Sequence, residues 1–233
     1  QGYFDDENKE YVIKDMKPRR PWLNYLWNEK AVCQCDQFGN GFSWEAIGTQ
    51  RRDIEKGVRN VYVKDNDTGE IYSANRNYND LPFYIHETHV GINYQRVVSE
   101  YNGLTVIFTV CVPKDDAVVL YNVKVTNKLR SRRNADLYFC IQPSPALSWH
   151  DAYGYADNDE KLNGLFYSHD GFNLPNDHTK EFVGCDKKYD AYALSHSDFR
   201  GEYNGYDNPS ALKREKLACK GATFESEYVA AFQ

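Results

Sequence analysis

Tyr94-Gln95-Arg96-Val97-Val98-Ser99-Glu100-Tyr101-Asn102-Gly103-Leu104-Thr105-Val106-Ile107-Phe108-Thr109-Val110-Cys111-Val112 decides the fold class. Two runs rich in β-branched and aromatic residues flank an Asn-Gly pair, the strongest short-range signal for a two-residue hairpin. Period-two patterning continues outward on both sides. Residues 117–126 (AVVLYNVKVT) read as a further strand, and Asp67-Thr68-Gly69 is a turn between Val61-Tyr62-Val63 and Ile71-Tyr72. Asp5-Asp6-Glu7-Asn8 is a turn ahead of Tyr11-Val12-Ile13, and more strands are expected at 137–141, 192–194 and 228–232. No 3.6-residue apolar stripe exceeds about three turns. Successive antiparallel hairpins, roughly a dozen strands in all, predict an all-β chain built as a large antiparallel two-sheet β-sandwich. Three stretches break the pattern and read as loops: 148–162 (SWHDAYGYADNDEKL), 171–179 and 198–209. No repeat or linker divides the sequence, so 1–233 reads as one domain.

The composition narrows the function. The chain has 233 residues, a formal net charge of −6, and 19 Tyr, 12 Phe and 4 Trp against one Met. It can bury a real core, and its aromatic wealth suits a surface that stacks on sugars. Nucleic acid is not expected as a partner, because a phosphate-binding surface needs an excess of Lys and Arg. No apolar run approaches the length that spans a bilayer, and the opening residues lack a basic-then-apolar signal layout. The six cysteines, at 33, 35, 111, 140, 185 and 219, are too sparse for a disulfide scaffold. Cys33-Gln34-Cys35 places two sulfurs on one face of a strand. The expected reading is reduced thiols in a cytoplasmic protein, and no metal site is assigned.

Common catalytic signatures are missing: no GxGxxG after a strand, no P-loop, no HExxH and no GxSxG. His86-Glu87-Thr88-His89 has metal-ligand residue types, but an i, i+3 pair on a strand points to opposite faces. The carboxylate neighbours Asp5-Asp6-Glu7 and Asp115-Asp116 sit in turns, which they solvate and shape. The doublets Arg19-Arg20, Arg51-Arg52 and Arg132-Arg133 could bind phosphate, but in an acidic chain they read as surface charge. The stretch Trp149-His150-Asp151-Ala152-Tyr153-Gly154-Tyr155-Ala156-Asp157-Asn158 differs in kind. It joins flat aromatics, for the apolar face of a pyranose, to carboxylates and an amide for its hydroxyls.

Taken in order along the chain, a set of motifs resembles the N-terminal domain of glycoside hydrolase family 94, the cellobiose and chitobiose phosphorylases formerly classed as glycosyltransferase family 36. The set opens with Gly2-Tyr3-Phe4-Asp5-Asp6-Glu7-Asn8-Lys9-Glu10-Tyr11-Val12-Ile13 and continues through Pro21-Trp22-Leu23-Asn24-Tyr25-Leu26, Gly41-Phe42-Ser43-Trp44 and Arg51-Arg52. It then runs through Ser99-Glu100-Tyr101-Asn102-Gly103-Leu104, Val112-Pro113-Lys114-Asp115-Asp116 and Val123-Lys124-Val125-Thr126-Asn127. It closes with Phe199-Arg200-Gly201-Glu202-Tyr203-Asn204-Gly205-Tyr206-Asp207-Asn208-Pro209.

The resemblance implies a supersandwich that ends before its final strands, with a catalytic (α/α)6 barrel lying outside these residues. It implies a parent enzyme that phosphorolyses a β-linked disaccharide or oligosaccharide with inversion, giving an α-sugar 1-phosphate and a shorter sugar. The phosphate is a co-substrate and no cofactor is needed. A phosphate dianion is already a nucleophile, so one general acid suffices. That acid belongs to the barrel, and no catalytic residue is assigned here. The resemblance further implies a homodimer in which a sandwich loop reaches the acceptor pocket of the neighbouring subunit. The matching stretch is 148–160, so Trp149, Asp151, Tyr153, Asp157 and Asn158 are the expected substrate-binding residues. The partners implied are a β-linked oligosaccharide or monosaccharide acceptor and the barrel, with no membrane. The competing readings are a stand-alone carbohydrate-binding sandwich without catalysis and a purely structural domain that only buttresses a catalytic partner.

Overall fold

The computed structural model describes residues 2–47, 50–144, 153–170, 178–225 and 227–233. The chain forms two compact units, Gln1–Arg51 with Arg59–Asp136, and Arg52–Val58 with Leu137–Gln233. All three crossings fall inside strands, two in β6 and one in β12, so no change of composition marks them.

The first unit holds β1 (Gly2–Asp5), β2 (Glu10–Ile13), β3 (Asn24–Trp27), β4 (Ala31–Cys35) and β5 (Ser43–Ile47). It also holds the C-terminal half of β6 (Gln50–Asp65), β7 (Ile71–Ser73), β8 (Ile85–Gly91), β9 (Tyr94–Tyr101), β10 (Leu104–Cys111) and β11 (Leu120–Asn127). One antiparallel sheet runs β1-β2-β8-β9-β10-β11; in a second layer β3, β4 and β5 pair in order, and β6 pairs with β7. The Asn102-Gly103 turn is as expected. Tyr101 pairs with Leu104, and Asn102 and Gly103 have φ of 48° and 76°, the left-handed pair that a type I′ turn requires. Asp5 shapes its turn by accepting from the N–H groups of Glu7 and Asn8, each at 3.1 Å. Alternation along β9 and β10 buries Val97, Val106, Phe108 and Val110. Hydrogen bonds tie the two layers together: Thr88 Oγ1 donates to the Gln37 carbonyl, and Asn28 Nδ2 donates to the Pro113 carbonyl at 2.7 Å.

The second unit holds the N-terminal half of β6 with β12 (Ala135–Pro143), β13 (Tyr153–Asp159), β14 (Gly164–Asp170) and β15 (His178–Gly184). It continues with β16 (Tyr192–Ser195), the short helix α1 (His196–Arg200), β17 (Ala222–Glu225) and β18 (Tyr228–Phe232). β18 lies between β12 and β16, and every one of its residues is buried, as a strand with neighbours on both edges and both faces requires. A four-stranded sheet runs β15-β14-β13-β17. Tyr167 on β14 donates its hydroxyl to the Val229 carbonyl at 2.9 Å and stacks edge-on with Tyr228, centroids 5.8 Å apart.

The class is all-β and antiparallel, as expected, with eighteen strands among the described residues. The expected loops need correction. Within the stretch 148–162, Tyr153–Asp159 is strand β13 and 160–162 a turn; His178 and Thr179 begin β15, Asp198–Arg200 is the end of α1, and 148–152 and 171–177 lie outside the described residues. β13 hides as a strand because its exposed face carries Tyr155, Asp157 and Asp159, so little apolar alternation shows. Among the described residues no helix is long and apolar enough to cross a membrane.

Candidate saccharide-contact face

β13 pairs in register with β14, and β14 with β15, so the period of two sorts their residues onto two faces. Tyr155 lies opposite Ser168, which lies opposite Lys180; Asp157 lies opposite Phe166, which lies opposite Phe182. This face is open: Tyr155 is 50% and Phe182 46% exposed, and Asp157 and Lys180 are exposed beside them. The Phe166 and Phe182 rings are 4.7 Å apart between centroids, tilted by 43°. Gly164 and Gly184 form the next cross-strand pair, and a Cβ on either would meet the Phe182 ring at 2.5 or 2.7 Å. The two glycines therefore leave the space in which that ring lies against the sheet. The result is flat aromatic carbon bordered by an ammonium donor and a carboxylate acceptor, the surface chemistry that matches a pyranose ring and its hydroxyls.

The residues expected from the sequence are divided by this geometry. Trp149 and Asp151 lie outside the described residues. Tyr153 opens β13. Asp157 takes its place on the open face with Tyr155. Asn158, one residue on, turns to the other face, where its Oδ1 accepts from the Tyr189 hydroxyl. The sequence alone does not mark Phe166, Lys180 and Phe182. The signal that points to them is the alternation in GLFYSHD and HTKEFVG, which becomes legible once the two segments are paired as strands.

The opposite face of the same sheet carries an unusual carboxyl. Glu181 lies beside Tyr167 in register, half-buried. Burial is the main cause that pushes its pKa up to about 9, and the Glu55 carboxylate adds to it, while Arg52 and Lys56 oppose it. Its position faces away from Tyr155 and Asp157, so it does not serve the open face.

The remaining candidates resolve into structural roles. His86 Nε2 meets the Asn75 carbonyl at 3.1 Å, whereas His89 lies 2.8 Å from Glu10 and 3.1 Å from Glu87, so the two histidines do not converge. Glu10 also accepts from the Tyr94 hydroxyl at 2.5 Å and from Arg96 at 2.8 Å. Burial raises its pKa, but those hydrogen bonds and the Arg96 charge outweigh it, and the carboxyl stays below its usual range. Cys33 and Cys35 are both buried with sulfurs 3.8 Å apart. Among the described residues no group of three or more His, Cys, Asp or Glu is arranged to hold a metal. Arg133 pairs with Asp65, which also caps the Asp67-Thr68-Gly69 turn.

The family model for the glycosyl hydrolase 94 supersandwich domain matches residues 9–232. The chain belongs to that family. This supersandwich is 23% identical to a solabiose phosphorylase of Paenibacillus borealis, over 91% of this chain and 30% of that protein. It is 25% identical to an N,N'-diacetylchitobiose phosphorylase of Vibrio furnissii, over 95% of this chain and 30% of that protein. A 3-O-beta-D-glucopyranosyl-beta-D-glucuronide phosphorylase of Paenibacillus borealis is 26% identical over 97% of this chain and again 30% of that protein. The supersandwich thus spans about 30% of the length of the curated relatives it matches. These relatives are named for different sugars, so the family membership does not carry a substrate with it.

Proposed function

We propose that this supersandwich is the N-terminal domain of an inverting disaccharide phosphorylase, which converts phosphate and a β-linked di- or oligosaccharide into an α-sugar 1-phosphate and a shorter sugar. The observation that carries the reading is the family match over residues 9–232, together with relatives named as phosphorylases that align with nearly the whole chain. The barrel of the parent chain supplies the general acid, and inorganic phosphate is the co-substrate. The sandwich contributes contacts on the acceptor side through 148–160, which includes Tyr155 and Asp157 of the open face. It also contributes contacts between two copies of the parent enzyme, in a cytoplasmic setting. A second reading, a carbohydrate-binding module that works alone, draws support from the exposed Tyr155 and Phe182 rings.

The test is phosphate release from glucose 1-phosphate and N-acetylglucosamine 1-phosphate with glucose, N-acetylglucosamine or cellobiose as acceptor. The 233-residue chain is run beside a form extended by its natural downstream sequence. The expected result is turnover by the extended form alone, with the productive pair of sugars naming the enzyme. In that form Trp149→Ala and Tyr153→Ala are expected to change acceptor preference. Turnover by the short chain would place an acid within these residues and overturn the proposal. Silence from both forms, with cellobiose or chitobiose binding to the short chain, would favour the binding module.

A further inference from the structure

In the first unit, the segment between β2 and β3 frames an open, solvent-facing depression of about 390 Å³ lined by Asp15, Lys17, Pro18, Arg19, Arg20 and Trp22. That volume lies at the lower end of the range for small-molecule pockets and is enough for one monosaccharide ester. Its walls are held from several directions. The Trp22 backbone N–H donates to Gln37 Oε1 at 3.2 Å, and the indole packs on Tyr11 with centroids 5.6 Å apart. Lys17 is already paired with Asp80, and Asp15 accepts from the Lys17 N–H at 3.1 Å. Pro18 and Pro21 bracket Arg19-Arg20 and restrict the backbone that carries both guanidinium groups. Among the described residues neither arginine has a hydrogen-bond or ion-pair partner for its side chain, and no ion pair joins Asp15 to either. Two adjacent unpaired guanidinium groups in a chain of net charge −6 keep a strong attraction for a dianion.

We infer that this depression is a binding site for a sugar phosphate. Arg19 and Arg20 take the phosphate through forked N–H donors, and the exposed indole of Trp22 takes the apolar face of the sugar ring. The anion site stands on the depression and its charges; the choice of a sugar over another phosphate ester rests on the phosphorylase reading. The site lies in the first unit, separate in the sequence from the β13–β15 face and from the 148–160 stretch.

The probes are α-glucose 1-phosphate, inorganic phosphate and glucose, each titrated by calorimetry into the 233-residue chain, into an Arg19→Gln, Arg20→Gln variant and into Trp22→Leu. Both arginines are exposed, so the double variant is expected to keep the circular dichroism spectrum of the parent. α-Glucose 1-phosphate is expected to bind with a Kd on the order of 1 mM and to weaken about tenfold or more in the double variant. Trp22→Leu is expected to weaken the ester several-fold and leave inorganic phosphate unchanged. Equal binding of phosphate and ester, indifferent to Trp22, would overturn the sugar and leave an inorganic anion site. Binding that ignores the two arginines, or none at about 20 mM ligand, would overturn the site altogether. Each of these results is independent of whether the extended chain turns over.

Discussion

Arg59→Met is expected to lower the free energy of unfolding by about 3–5 kcal/mol, a large fraction of the stability of a domain of this size. Arg59 is fully buried on β6. Its Nη1 donates to the carbonyls of Gln34 at 2.8 Å and Gly39 at 3.0 Å and contacts Cys35 Sγ at 3.5 Å, while Nη2 donates to Ser43 Oγ at 2.9 Å. Its backbone N–H is taken by Asn40 Oδ1 at 2.8 Å. A buried ion pair can often be exchanged for apolar residues at little cost, because both partners are replaced together. Here two of the acceptors are backbone carbonyls, which no substitution removes. Methionine would fill much of the volume and leave them without a donor. Lysine keeps the charge but not the fork, so Arg59→Lys is expected to recover only part of the loss. Urea unfolding followed by tyrosine and tryptophan fluorescence measures both variants. An unfolding free energy within about 1 kcal/mol of the parent at unchanged m-value would show that the guanidinium does not brace the 34–43 segment.

Glu181→Gln is expected to stabilise the protein, and by more as the pH rises. In the unfolded chain this carboxyl titrates near its ordinary value of 4.5, whereas burial in the fold pushes it up to about 9. Between those values the folded state holds a proton that the unfolded state has lost, so each step up in pH favours unfolding. The groups that face it are Arg52, Glu55 and Lys56 from β6 and Tyr167 from β14. The two cations soften the penalty without removing it. Glutamine is neutral at every pH, so the variant and the parent should match below about pH 4.5 and separate above it. Allowing for partial solvent access, the gap at pH 8 should reach a few kcal/mol. Denaturant unfolding at pH 5, 6.5 and 8 reads this directly, and parallel curves for the two proteins would refute it. Glu10 acts in the other direction: its pKa lies below the ordinary value, so its contribution is present at neutral pH and is lost as the pH falls through the acid range.

The two cases differ in how far the sequence could have led. Nothing near Glu181 in HTKEFVG distinguishes it from a solvated strand glutamate, since its environment comes from β6, more than a hundred residues earlier. The same holds for Asp157 and Asn158. As neighbours in a polar stretch they look like joint ligands of one sugar. Once the stretch is a strand, the pleat sends them to opposite faces, and only Asp157 joins the open one. Phe182 joins it as well, through a register that pairs segments separated by irregular sequence. The Arg19-Arg20 doublet, read as surface charge, acquires a second meaning from the Trp22 indole and the depression that brings them together.

By itself the sequence determined the all-β class, the hairpin at Asn102-Gly103 and the turns at Asp5 and Asp67. Each rests on the period of side-chain alternation or on the φ and hydrogen bonds that a few adjacent residues can supply. The ordered motifs also pointed to the family, which the match over 9–232 then established. Only the tertiary structure decided that 153–159 is a strand, which of its residues face solvent, and that Glu181, half-buried, and Arg59, fully buried, sit among groups distant in sequence. The reason is physical: turn geometry depends on neighbours along the chain, whereas exposure, pKa and hydrogen-bond partners depend on which strands the fold brings alongside.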